Sequence, residues 1–223
     1  MLFTTLLTGA LFTTSTLAIY VDVTPKAHLQ TRDAITPENL LACGPKNQPC
    51  KCPENSYYTH STTYAYYPAQ TRDVTAITGN FFDITWFGHF VNSTEGSPYV
   101  AGSKRAGYEV PPDGKDKLLT QEQLSNYTRS RDGGFFYSYN TINTPLRFNK
   151  TDGTIGAVAG SWEFIDVKEI TPGWTSMIWD IHACLTDRWA LGPFHESAMG
   201  NVTNILRKRR QLGRGQVTGP FTI

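Results

Sequence analysis

Charge of one sign is what this sequence most conspicuously lacks. Its 20 Lys and Arg residues balance 19 Asp and Glu residues, a formal net charge of +1 over 223 residues, so no global field draws in nucleic acid or an anionic membrane. Several signatures of common chemistries are missing too. There is no GxSxG elbow, P-loop, dinucleotide fingerprint or HExxH, so hydrolase, nucleotide-binding and zinc-protease readings have no support, and no cofactor or metal motif is present. Beyond the first 18 residues no run is apolar enough for a stable membrane span, which takes about 20 consecutive apolar residues.

The chain is 39% hydrophobic and 13% aromatic, enough for one core of ordinary size and too little for two large domains. The opening stretch MLFTTLLTGALFTTSTLA (1–18) is apolar and free of acid, with small Thr16 and Ala18 near its end. It reads as a cleaved secretory signal, despite an n-region without Lys or Arg. Four sequons, at Asn92, Asn126, Asn149 and Asn201, support passage through a eukaryotic secretory pathway. A secreted or lumenal protein is expected.

Cysteine is scarce, four in all, and three of the four lie together in ACGPKNQPCKCP. A zinc cluster fits poorly, because the spacing of Cys43, Cys50 and Cys52 is irregular and no histidine accompanies them. In an oxidising compartment two disulfides fit better. Joining Cys50 to Cys52 closes a very small, strained ring and is set aside, so Cys184 pairs with Cys50 or Cys52. Residues 19–55, rich in Pro and polar side chains, then form an arm tethered to the strand that carries Cys184, with one short helical stretch from Thr36.

That strand is the clearest in the chain. In TSMIWDIHACLTD, Met177, Trp179, Ile181, Ala183 and Leu185 share one face, while Ser176, Ile178, Asp180, His182 and Cys184 share the other. Before it come a strand over YYTHSTTYAYYPA, two short helices split at Gly79, and strand-like pieces SKRAGYEV, KLLTQEQLSNYTRS, GFFYSYNTI and IGAVAGSWEFIDVKE set off by turn residues. After it, residues 193–212 form an amphipathic helix with a stripe of Phe194, Ala198, Val202, Ile205 and Leu212, and with Arg207 to Arg210 at its C-terminal end. Such a helix buries its stripe against a concave sheet.

The stretches THSTTYAYYPAQTRDVTAITGNFFDITWF, GFFYSYNTINTPLRFNKTDGTIGAVAGSWEFIDV and WTSMIWDIHACL resemble the opening strand and helix pair, and the last three strands, of the helix-grip superfamily. START-like lipid carriers, pollen-allergen-type proteins and polyketide cyclase/dehydrase-type proteins belong to it. The resemblance implies an α+β fold over residues 56–212, a curved antiparallel sheet around the long C-terminal helix, with a tail at 213–223. It also implies a cavity for a hydrophobic small molecule, on a scaffold that serves carriers and enzymes alike.

With Met177 and Trp179 facing inward, Trp162, Phe164, Tyr137, Tyr139 and Tyr108 are expected in the same ligand-binding layer; the other arrangement is a solid aromatic core. For catalysis, Asp180 with His182 is the best pair in sequence, two residues apart on one strand face. Inward-facing Met177 and Trp179 turn that pair outward, toward solvent or the arm, together with Glu163. His195, opening the last helix, is a candidate for the mouth of a pocket. Two functions survive: a secreted binding protein for an apolar, lipid-like or polyketide-like molecule, or a cyclase or isomerase of natural-product assembly.

Overall fold

A computed structural model describes residues 43–46, 48–111, 113–187 and 189–223. The expected signal segment, and the arm as far as residue 42 with its helical stretch, lie outside the described residues.

Strand β1 (Tyr57–Tyr67) is followed by helix α1 (Thr71–Thr78) and a 3-10 turn (Thr85–Phe87), the short helical pair expected around Gly79. Then come β2 (Val91–Glu95), β3 (Lys104–Glu109), β4 (Leu118–Arg129), β5 (Phe135–Thr141), β6 (Leu146–Asn149), β7 (Ile155–Thr171), β8 (Trp174–Leu185), α2 (Gly192–Lys208) and β9 (Thr218–Thr222). All pairings are antiparallel, in the order β2-β3-β4-β5-β7-β8-β1-β9, with β6 also on β7. This is the helix-grip arrangement, an α+β fold in which one face of the sheet packs on α2.

Three strands escape the sequence pattern. In β2 the residues VNSTE are nearly all exposed, so no apolar alternation marks it. β6 is short, and β9, within the expected tail, carries Pro220 as tolerated at a sheet edge. Helix α2 buries Ala198 and Val202 as expected, but it also buries His195, Met199 and Leu206, while Phe194 stays 40% exposed. The apolar stripe is thus rotated from the expected one. Leu212 lies past the helix end, and Arg207 and Lys208 occupy the last turn, where the helix dipole favours cations.

Met177, Trp179, Tyr67, Tyr137 and Phe135 from the sheet meet Met199, Val202 and Leu206 of α2 in one buried cluster. Fully burying such a side chain contributes about 1.5–3 kcal/mol. Two polar groups inside are partnered by backbone carbonyls: the Tyr67 hydroxyl donates to the Met199 carbonyl at 3.1 Å, and the Thr175 hydroxyl to the Ala69 carbonyl at 2.8 Å.

Cys43 is bonded to Cys50, and Cys52 to Cys184. The second bond links residues 132 apart in sequence, and confining so long a loop in the unfolded chain is worth about 4–5 kcal/mol by chain entropy. We therefore expect Cys52→Ser with Cys184→Ala to lose about 4 kcal/mol of stability, read as a lower urea midpoint than that of the oxidised parent; an unchanged midpoint would show that the bond does not form.

Candidate functional site

Between the inner face of the sheet and α2 lies a cavity of about 210 Å³. Its floor comes from alternate residues of β8, Trp179, Ile181, Ala183 and Leu185, as the alternation in TSMIWDIHACLTD predicts. Leu146, Val158 and Leu191 extend the apolar lining. The other wall is acidic. Glu109, Glu122 and Glu163, from β3, β4 and β7, all line the same space.

Each acid has a different set of partners. Glu163 accepts hydrogen bonds from the Tyr139 hydroxyl at 2.6 Å, the Trp179 indole N–H at 2.8 Å and the Ser161 hydroxyl at 3.3 Å. Burial, reinforced by the nearby Glu122 charge and only partly offset by those hydrogen bonds, still pushes its carboxyl up to about 7. Glu109 is pushed up to about 8, by burial and by Glu122 and Glu163. Glu122 instead accepts a hydrogen bond from Nε of the buried Arg105 at 2.5 Å, while Arg105 Nη1 donates to the Phe81 carbonyl at 2.6 Å. The guanidinium also lies 4.3 Å from the Phe81 ring centre and 4.7 Å from that of Tyr139.

Across the cavity, His195 stacks on Trp179 with ring centres 4.0 Å apart. It is 1% exposed, its Nδ1 has no hydrogen-bond partner among the described residues, and burial drives its pKa down to about 3. A neutral imidazole thus faces carboxyls that hold protons near neutral pH.

Of the residues assigned to a ligand-binding layer, Tyr139 and Trp179 line the cavity and Tyr137 and Met177 lie beside it in the core cluster, whereas three others are placed elsewhere. Trp162 and Phe164 point to the opposite face and Glu163 points inward, the reverse of the expected phase. The cause is an irregularity in β7. Val158 pairs with Leu185 while Gly160 pairs with Cys184, so one extra residue breaks the alternation that otherwise extends from Val158. Tyr108 is on the outer face too and is 49% exposed, because its neighbours Arg105 and Glu109 take the inward phase of β3.

The family model for a START domain matches residues 58–223. This chain belongs to that family. A START domain of this kind binds hydrophobic ligands in general. A search of curated proteins gave no match. Solved structures that align with this START domain include XoxI from Bacillus cereus, at 16% identity over 68% of this chain and 98% of that one, TM-score 0.46. Norcoclaurine synthase from Thalictrum flavum aligns at 8% identity over 70% and 98%, TM-score 0.44. Ara h 8.0201 aligns at 8% identity over 68% and 99%, TM-score 0.45. Among the described residues no helix is long and apolar enough to cross a membrane.

The candidate pair Asp180 and His182 lies away from the cavity, on the outward face implied by inward-facing Met177 and Trp179. Asp180 and His182 are on the outer face of β8, where His182 is fully buried beside Tyr58, His60 and Phe164. The arm passes over this face, since a Cβ at Gly44 would sit 2.5 Å from Phe164 Cζ. Of the sequon asparagines, Asn92, Asn126 and Asn149 are exposed. Asn201 is half-buried on α2, its amide donating to the Trp86 carbonyl at 3.4 Å.

Glu109 and Glu163 stay protonated in the folded chain at pH values where the unfolded chain, with its ordinary value of 4.5, has ionised. The folded state therefore binds more protons, and the stability this confers is full below about pH 4.5 and lost as pH rises to about 7 and 8. Urea unfolding should show a midpoint that falls from pH 5 to pH 8, with a shallower fall in Glu163→Gln. Equal slopes in the two proteins would show that Glu163 is not the titrating group.

Proposed function

We propose that this START domain binds a small, largely apolar molecule of lipid-like or polyketide-like build in the cavity beneath α2, and that it does so in the secretory lumen or outside the cell. The observation that carries this is the two-sided lining. Ile181, Leu185, Val158 and Leu191 offer an apolar seat, while Glu109, Glu163 and His195 offer fixed polar groups to one end of a ligand. Apolar burial supplies affinity and the few polar groups fix orientation. The two disulfides, the apolar leader and the exposed sequons support the oxidising compartment.

One observation favours a second reading, a cyclase or isomerase. Glu163, its carboxyl pushed up to about 7, faces the cavity as a group that can give or take a proton near neutral pH, while the neutral His195 offers a hydrogen-bonding ring nitrogen rather than a base. Proton transfer by a positioned group is worth about 10²–10⁴ in rate. Asp180 and His182, the pair expected from sequence, have no part in it, because neither lines the cavity.

Ala183, on the cavity floor and 1% exposed, gives a direct test. Ala183→Phe fills the space at a cost of about 1–3 kcal/mol in stability. It should abolish the fluorescence change of a neutral naphthalene probe that the parent binds, with an unaltered circular dichroism spectrum. Equal binding by both proteins would overturn the cavity as the site. Mass spectrometry of the molecule co-purifying with the secreted protein then separates the two readings. Turnover of candidate precursors that is lost in Glu163→Gln marks an enzyme, and a molecule returned unchanged by both proteins marks a carrier.

A further inference from the structure

On the sheet face opposite the cavity, two adjacent strands bring metal-ligating side chains together. His60 of β1 lies directly opposite His182 of β8, and Thr62 opposite Asp180, so all four side chains share one face. Both imidazoles turn Nε2 to the same carboxylate: His60 Nε2 lies 2.6 Å from Asp180 Oδ1, and His182 Nε2 lies 3.1 Å from Asp180 Oδ2. One donor atom from each of the three residues lies within 4.8 Å of the others.

From this convergence we propose that His60, Asp180 and His182 bind one divalent ion of the zinc class, with two imidazole nitrogens and one carboxylate oxygen as ligands. Intermediate ions such as Zn²⁺ take imidazole and carboxylate donors at about 2.0–2.2 Å, and three protein ligands leave one position for water. In such a tetrahedron neighbouring donor atoms stand roughly 3.3 Å apart, so small side-chain shifts from the present spacings admit the ion. Two backbones hold the site in register, which limits the ordering cost of assembling it.

The surroundings supply what ligating side chains need. His182 Nδ1 is 2.9 Å from the Tyr58 hydroxyl. With its proton on Nδ1, donated to that oxygen, His182 presents a lone pair at Nε2. The Thr62 hydroxyl donates to Asp180 Oδ1 at 2.8 Å and steadies the carboxylate. The His182 side chain is fully buried and that of Asp180 is 13% exposed, while the His60 side chain, 33% exposed, gives access from solvent. Cys43 and Cys50 also approach His182 but are joined as a disulfide, so they offer no thiolate. With two neutral imidazoles and one carboxylate on a divalent ion, the bound site carries a net charge of +1.

The experiment uses tag-free, oxidised, full-length protein dialysed against a chelator, then titrated with Zn²⁺ by calorimetry and with Co²⁺ by visible absorption. One equivalent of either ion should bind, with the visible bands of four-coordinate cobalt and a rise in Tm in saturating Zn²⁺. His60→Ala and Asp180→Asn should each weaken binding by about a hundredfold or more, and Tyr58→Phe by about 10–100-fold as for other outer-shell partners. The exposed His60 decides the matter if Asp180→Asn fails to fold. Absence of a stoichiometric site in the parent, or equal Zn²⁺ affinity in parent and His60→Ala, would overturn the proposal. Probe binding in the cavity should be the same with and without the ion, which keeps this site independent of the proposed ligand.

Discussion

A single extra residue in β7, between Val158 and Gly160, decides which chemistry the cavity holds. Without it, the alternation that turns Val158 inward also turns Trp162 and Phe164 inward and Glu163 outward, giving an aromatic lining with no acid. With it, Ser161 and Glu163 line the cavity, and Trp162 and Phe164 pass to the face beneath the arm. A strand's side-chain period of two makes every later residue follow the slip. The Glu163 carboxyl meets Tyr139 and Trp179 only because β5 and β8, on either side of β7, keep their own phase.

The acid wall has an energetic consequence. Three carboxyls line one cavity while only Glu122 is ion-paired, with the buried Arg105, and a low-polarity interior disfavours further unpaired negative charge. The cluster resolves this by protonation. Glu122 is ion-paired with Arg105, while burial and neighbouring acids push the Glu109 carboxyl up to about 8 and that of Glu163 up to about 7. His195 is held neutral by the same burial. The interior is therefore close to uncharged, with hydrogen-bonding capacity confined to a few places, which suits a mostly apolar guest with one polar end.

Much of the fold was legible because long strands with clean alternation, such as TSMIWDIHACL, carry their burial in their sequence, as does the helix that follows. β2 was not legible, since an exposed edge strand needs no apolar residue, and β9 was hidden by Pro220 and its polar neighbours. Within the site, Trp179 and Tyr139 followed from alternation, whereas Glu163 did not, because a bulge leaves no mark that a single sequence distinguishes from an ordinary GAVAGS run. Gly156 and Gly160 were the signal at hand, glycine within a strand being common at such irregularities. Glu109, Glu122 and Arg105 were missed for another reason: charged residues on a strand read as solvated, and only tertiary pairing turns them inward. His60 with His182 is a cross-strand partnership over 122 positions, which spacing along the chain does not reveal.

The Cys52–Cys184 bond closes a covalent ring that contains β1 to β7 and nearly all of β8, while α2 and β9 lie outside it. The bond constrains the chain that builds most of the sheet, whereas among the described residues α2 and β9 are held by noncovalent contacts: the apolar cluster, the Tyr67 hydroxyl on the Met199 carbonyl and the β1–β9 pairing. A guest that enters by tilting α2 disturbs no covalent closure.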